Sequence, residues 1–153
     1  MGQVSIDVAI VNYRCAADTL QALARLAQWP HGVVWLVDNS AHDADIAADT
    51  DALRDAVVGM PWVRMLTPGS NLGFGRACNL AFAESNAEFF LLLNPDARIA
   101  ADDVLLLARA LADQPGLGAV SPKIYWNEQR SFVLPAAFPQ TPGYSMALAL
   151  ATH

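Results

Sequence analysis

The sequence predicts an α/β protein, a three-layer α/β/α arrangement around an open, mostly parallel sheet. Three observations predict it. Short apolar runs alternate with segments whose apolar residues recur at helical spacing, over residues 4–125. The 153 residues are 54% hydrophobic and 16% charged, which excludes a disordered chain and suits one domain with one well-buried core. Several apolar runs also stop in polar turn residues, at the strand ends where open α/β sheets hold their ligands.

The elements follow in order. Val4 to Val11, interrupted only by Asp7, reads as a first strand ending in Asn12-Tyr13. Ala16 to Trp29 reads as a helix with Leu20, Leu23, Ala24 and Ala27 on its buried face, closed by Pro30 and Gly32. Val33 to Val37 is a second strand ending in Asp38-Asn39-Ser40, so the unit is βαβ with a right-handed crossover and parallel strands. Ala41 to Asp55, rich in Asp and Ala, predicts a polar loop and a short, weakly specified surface helix. Trp62 to Leu66 is a third strand, left through Thr67-Pro-Gly-Ser-Asn71.

From Gly73 onward Phe74, Ala77, Cys78, Ala81 and Phe82 mark the buried face of a helix, and Arg76 and Asn79 lie side by side on the other face. Phe89 to Leu93, five bulky apolar residues between Glu88 and Asn94, predicts a fully buried strand in the middle of the sheet. Pro95 lacks an N–H and turns the chain out of the sheet there. Asp102-Asp103 open a fourth helix patterned by Val104, Leu105, Ala108, Leu111 and Ala112, and acids suit that first turn. Pro115-Gly116 ends it, and Gly118 to Tyr125 reads as a fifth strand. Pro135, Pro139 and Pro142 then punctuate a loop before the apolar Ala147 to Ala151. On this reading residues 1–126 form a ligand-binding α/β domain, and 127–153 a loop and the start of a region cut short.

Composition narrows the function. A net charge of −6 with no Lys/Arg cluster argues against nucleic acid, though a ligand with one or two phosphates remains compatible. Cys15 and Cys78 form neither a Cys-x-x-Cys pair nor a zinc spacing with histidine, and read as reduced thiols. His31, His42 and His153 are scattered surface residues on this reading. With no signal-peptide pattern and no run of membrane-spanning length, the expectation is a soluble cytoplasmic protein.

Four groups arrive at the predicted ligand edge: Asn12, Asp38, the loop from Gly69 to Arg76, and Asp96. Asp38 ends an apolar strand, where its carboxylate can accept from the ring N–H of uracil, thymine or guanine, or else cap the following turn through the Asn39 and Ser40 amides. Ser70 to Arg76 is a glycine-bearing loop entering a helix, a setting that suits an anion or, more plainly, a helix cap. It matches neither Gly-x-Gly-x-x-Gly nor a P-loop. Asn94-Pro95-Asp96 is a turn by composition, and its carboxylate can hold Mg²⁺ or Mn²⁺ bridging a diphosphate, with phosphate and water completing the shell.

Taken jointly, Asn12-Tyr13, Val37-Asp38-Asn39-Ser40, Asn71-Leu-Gly-Phe-Gly-Arg-Ala-Cys-Asn79 and Leu91-Leu-Leu-Asn-Pro-Asp96 resemble the donor half of family 2 inverting glycosyltransferases, especially the bacterial rhamnosyltransferase-like branch. The resemblance implies a GT-A fold and a UDP- or dTDP-sugar donor. It also implies a saccharide or lipid-linked acceptor, in cell-surface polysaccharide synthesis. Asp38 would face the base, and Asn12, Tyr13, Asn71, Gly73, Arg76, Asn79 and Asn94 would line the nucleotide-sugar site. Asp96 would stand in the family's Asp-x-Asp metal motif, with Asn94 replacing its first acid. The family's catalytic base lies in a later segment with no counterpart after Tyr125, where Glu128 is the only acid. A chain that binds the donor with weak or no turnover is therefore expected. The full-length protein would associate peripherally with membranes, and exposed apolar edges would favour a homo-oligomer. The alternative is a non-catalytic nucleotide-sugar-binding module acting with a partner. A nucleotidyltransferase is disfavoured because residues 12–18 contain no glycine.

Overall fold

In the computed structural model, residues 4–26, 28–125, 127, 129, 131 and 133 are described. The chain divides into two compact units, residues 1–104 and 105–153. The first holds the whole sheet.

β1 (Ile6–Asn12) is buried along its entire length. α1 (Ala16–Leu26) leads to β2 (Val34–Asp38), and a 3₁₀ turn at Ala44–Ile46 runs into α2 (Ala47–Val58). β3 (Val63–Leu66), α3 (Gly73–Glu84) and β4 (Phe89–Leu93) follow, then α4 (Ala101–Ala112). All pairings are parallel, in the order β3-β2-β1-β4, and Asn12 stands level with Asp38.

That order fixes the layers. The β1-α1-β2-α2-β3 crossovers step in one direction along the sheet and β3-α3-β4 steps back, so right-handed connections put α3 on the face opposite α1 and α2. The packing agrees. Ala9, Val11 and Val37 meet Ala77, Cys78 and Ala81 of α3, while Ile6, Val8 and Ile10 point to the other face by the period of two.

Burial explains where periodicity succeeded. α1 buries Thr19, Ala22, Leu23 and Leu26, a clean i, i+3, i+4, i+7 face. Ala24, expected on that face, is exposed, and Ala27 lies outside the described residues. α3 buries Ala77, Cys78 and Ala81 but leaves Phe74 48% and Phe82 63% exposed, because small side chains bring the helix close over β1 and β2 and the bulky ones fall at its flanks. Phe82 meets the half-buried Phe90 of β4 edge to face at 5.1 Å. The Asp- and Ala-rich segment forms a regular helix of 12 residues, anchored by buried Thr50 and Leu53.

Two further expectations are corrected. β4 pairs only with β1 among the described strands, so it is an edge strand, with Leu92 53% exposed, rather than a fully buried central one. Gly118 to Tyr125 forms no strand; Tyr125 makes an isolated antiparallel bridge with Val133. Pro122 supplies no N–H to a ladder, which weakens the run as a strand. The loop and apolar run expected over 127–153 lie outside the described residues apart from 127, 129, 131 and 133.

At the amino end of β1, Asp7 is buried beneath three donors: Val33 N–H and Trp35 Nε1 at 2.8 Å, and Ser85 Oγ at 2.7 Å. Trp29 Nε1 donates to the Ile6 carbonyl at 2.8 Å. Gly32 crosses this corner so closely that any Cβ would collide with the Ile6 carbonyl and the Asp7 carboxylate.

Candidate functional site

Parallel strands deliver all their carboxyl ends to one edge, and the strand order reverses at β1. Connections run from β1 toward β2 on one side, and from β3 back to β4 on the other. The crevice outside β1 and β4 is thus the switch point at which doubly wound sheets take ligands. Asn12-Tyr13 leaves β1 on one side of it, and Asn94-Pro95-Asp96 leaves β4 on the other.

Beneath the edge lies a buried polar network. Asn12 Nδ2 donates to Asp38 Oδ1 at 2.8 Å and to Ser40 Oγ at 3.1 Å. Asn12 Oδ1 accepts from Thr19 Oγ1 at 3.1 Å and from the Cys15 N–H at 3.3 Å. Asp38 is 0% exposed. Its Oδ1 also accepts from Ser40 N at 3.1 Å and Ser40 Oγ at 2.8 Å, and its Oδ2 from Thr50 Oγ1 at 3.1 Å. The carboxylate therefore caps the following turn through the Ser40 amide, one of the two roles its position allowed. No buried side-chain nitrogen or oxygen among the described residues lacks a partner.

Above this floor the side chains are accessible. Tyr13 is 50% exposed. Arg14 follows it at a positive φ of 55°, pairs with Asp43, and lies 6.0 Å from the Tyr13 ring centroid. The Arg14 guanidinium, and then the Asp45 N–H, hold the Asp43 carboxyl below its ordinary range; Asp43 in turn raises Arg14.

The segment leading into α3 closes a third side. Asn71 Oδ1 accepts from the Gly73 N–H at 2.8 Å, and Gly73 takes a φ of +72° that side chains other than glycine's rarely tolerate. Arg76 Nε donates to the Leu72 carbonyl at 2.8 Å and is exposed. Asn94 and Asp96 are exposed on a turn closed by Ala97 N–H to the Asn94 carbonyl at 3.0 Å. Asn79, exposed on α3, sits about 9 Å along the helix from Gly73, so the fold does not gather it with the rest.

The structure also recruits residues that the sequence did not mark as site residues. Ser40, Thr19 and Thr50 complete the floor, and Asn39 ties it to the α3 segment. Asn39 and Ser40 were legible as turn formers after a strand, but nothing in the Asp- and Ala-rich segment signals that Thr50 would turn inward.

Comparison with known proteins places this chain in a family. The family model described as "Glycosyl transferase family 2" matches residues 7–144. Among solved structures, the chain resembles a mannosyltransferase, PcManGT, from Pyrobaculum calidifontis in complex with GDP-Man and Mn²⁺, with a TM-score of 0.63 and 18% identity, over 81% of this chain and 36% of that one. It also resembles residues 1–349 of TarS from S. aureus, with a TM-score of 0.54 and 18% identity, over 72% of this chain and 33% of that one. An uncharacterized protein, y4gI, of Sinorhizobium fredii (strain NBRC 101917 / NGR234) is 35% identical over 68 residues, 44% of this chain and 8% of its own length. The chain thus spans about a third of the two solved structures. No described helix is long and apolar enough to cross a membrane.

Proposed function

Because the chain belongs to glycosyl transferase family 2, we propose that its carboxyl edge binds the nucleoside-diphosphate sugar donor of an inverting sugar transfer. The observation that carries this reading is the convergence of the β1, β2 and β4 ends and the α3 segment on the switch point. Tyr13, Asn71, Gly73, Arg76, Asn94 and Asp96 supply the accessible donor contacts, and Asn79 stands further down α3. Asn12 and the fully buried Asp38 act from beneath, by fixing the turn on which a base would rest. UDP-, dTDP- and GDP-sugars are the donor classes to test, since uracil, thymine and guanine all carry a ring N–H that an accessible amide or backbone carbonyl at this edge can accept, and the similar mannosyltransferase is in complex with GDP-Man.

A divalent metal fits the residues present in one way. Among the described residues no three His, Cys, Asp or Glu side chains gather to hold a metal on their own. The exposed Asp96 carboxylate offers a hard oxygen ligand, and Mg²⁺ or Mn²⁺ can draw its other ligands from diphosphate and water. Such an ion supplies Lewis-acid stabilisation of the departing diphosphate. The chain's own part is to hold the donor with the α3 N-terminus and Arg76 toward its anionic end.

A second reading is donor binding without transfer; within residues 114–153 Glu128 is the one acid. Inversion needs a base beside the acceptor hydroxyl. The acceptor, a saccharide or a lipid-linked sugar in cell-surface polymer synthesis, belongs to the same proposal, as does the rhamnosyltransferase-like branch.

Calorimetric titration of UDP, dTDP and GDP, with and without Mn²⁺, tests the donor site. Binding is expected for at least one of them, weakened by Tyr13→Ala and stripped of its metal dependence by Asp96→Ala. Equal behaviour of all three proteins, or no binding by any, would sink the reading. Release of free sugar from the matching nucleotide sugar would separate the transferase from the binding module.

A further inference from the structure

Asn39 is buried, 1% exposed, at the end of β2, and its backbone N–H bonds the Asn12 carbonyl at 2.9 Å. Its side chain points the other way. Oδ1 accepts from the Leu72 N–H and Nδ2 donates to the Gly73 carbonyl, both at 3.3 Å. The amide thus imitates a peptide group and makes a two-point bridge, donor and acceptor together, to the residues that open α3. No side chain at the N-cap position, Leu72, does this from within the helix. Together with Asn71 Oδ1 on the Gly73 N–H, the bridge occupies the first amides of the helix and fixes where the following turn points. One residue therefore joins the two halves of the edge: its backbone belongs to the Asn12–Asp38 floor and its side chain to the 71–76 segment.

We propose that Asn39 is a positioning residue that sets the α3 N-terminal segment at a fixed offset from the Asn12–Asp38 turn, so that the segment meets the diphosphate of a nucleotide whose base rests on that turn. The inference rests on the donor-site reading for its ligand, but the bridge itself has a ligand-free signature. Loss of the bridge frees the segment without removing the base platform. Nucleoside affinity is then retained, while the added affinity of the diphosphate falls by about tenfold, the worth of one or two neutral hydrogen bonds.

The experiment compares uridine with UDP, thymidine with dTDP and guanosine with GDP on wild type, Asn39→Ala and Leu72→Pro, alongside amide hydrogen exchange over residues 69–76 without ligand. Leu72→Pro removes the N–H that Asn39 accepts and leaves the β2 turn intact; its φ of −80° lies within proline's range. It keeps the test open should Asn39→Ala not fold. Faster exchange over 71–75 in either variant, with a diphosphate-to-nucleoside affinity ratio about tenfold lower, is the expected result. Equal losses for nucleoside and diphosphate, or exchange unchanged from wild type, would overturn it. If wild type binds no nucleotide, the donor-site reading and the diphosphate half of this inference fail together, whereas exchange still decides whether Asn39 pins the segment.

Discussion

The two ends of β1 carry similar buried chemistry with different consequences. At the amino end the Asp7 carboxylate takes its donors from Val33, Trp35 and Ser85, and ties β1, β2 and the end of α3 into one corner. At the carboxyl end Asp38 takes its donors from Asn12, Ser40 and Thr50, and leaves Tyr13, Asn71, Arg76 and Asp96 accessible above it. Both carboxylates are satisfied and hidden. The direction of the parallel strands makes the difference, since loops that lead from strand to helix open at one edge while loops that lead back close at the other.

The largest effect that would sharpen this contrast is Asp7→Ala. It strands three half-buried donors and is expected to cost about 3 kcal/mol, read by urea unfolding, while the folded fraction keeps its nucleotide affinity. Asn12→Ala comes next, at about 2 kcal/mol, because it takes a donor from Asp38 and an acceptor from Thr19. Unlike the first it should also weaken nucleotide binding; if Asp7→Ala weakened binding as much at equal folded fraction, the contrast between the ends would break. Asp96→Ala reverses the pattern: stability stays within about 0.5 kcal/mol for an exposed side chain, and the Mn²⁺-dependent part of diphosphate binding disappears.

The smallest effect is Asp43→Asn. Asp43 titrates below its ordinary range in the folded protein because of Arg14, so its contribution is complete above the unfolded carboxyl's pKa and is lost as pH falls through the folded one. Wild type should be slightly the more stable at pH 7 and should converge with the variant in acid. An unchanged gap at low pH would refute the pairing. Salt should narrow the gap as well, since both side chains of the pair reach solvent.

How much of this was legible in the sequence follows from which forces act locally. β1 and β2 were readable because a strand buried on both faces needs an apolar run, β3 because a short apolar run stands between turn residues though it ends at the sheet edge with Arg64 exposed, and the α1 face because one helix side must be apolar. β4 was read as central from the same kind of run, yet its position depends on what pairs beyond it, and no described strand does. Phe74 and Phe82 were read as core from spacing alone. Periodicity gives a face but not how closely that face approaches the sheet, and here Ala77, Cys78 and Ala81 set the approach. At the site, Asn12, Asp38 and Asp96 stood out as polar residues ending apolar runs. The partners of Asp38 did not, because Thr50 reaches it from 12 residues away across a loop with no pattern of its own.

The strand order also dictates a sequence of events in time. β1 is made first and lies between β2 and β4, but β4 reaches it only after some eighty further residues, as the span of 78 from Asp7 to Ser85 records. At ribosomal speeds of about 5–20 residues per second, β1 to β3 can pair about 1–5 seconds before β4 emerges. Through that interval one backbone edge of β1, the strand buried along its entire length in the folded protein, has no neighbour, and the nascent chain is then most exposed to chaperones and to wrong partners.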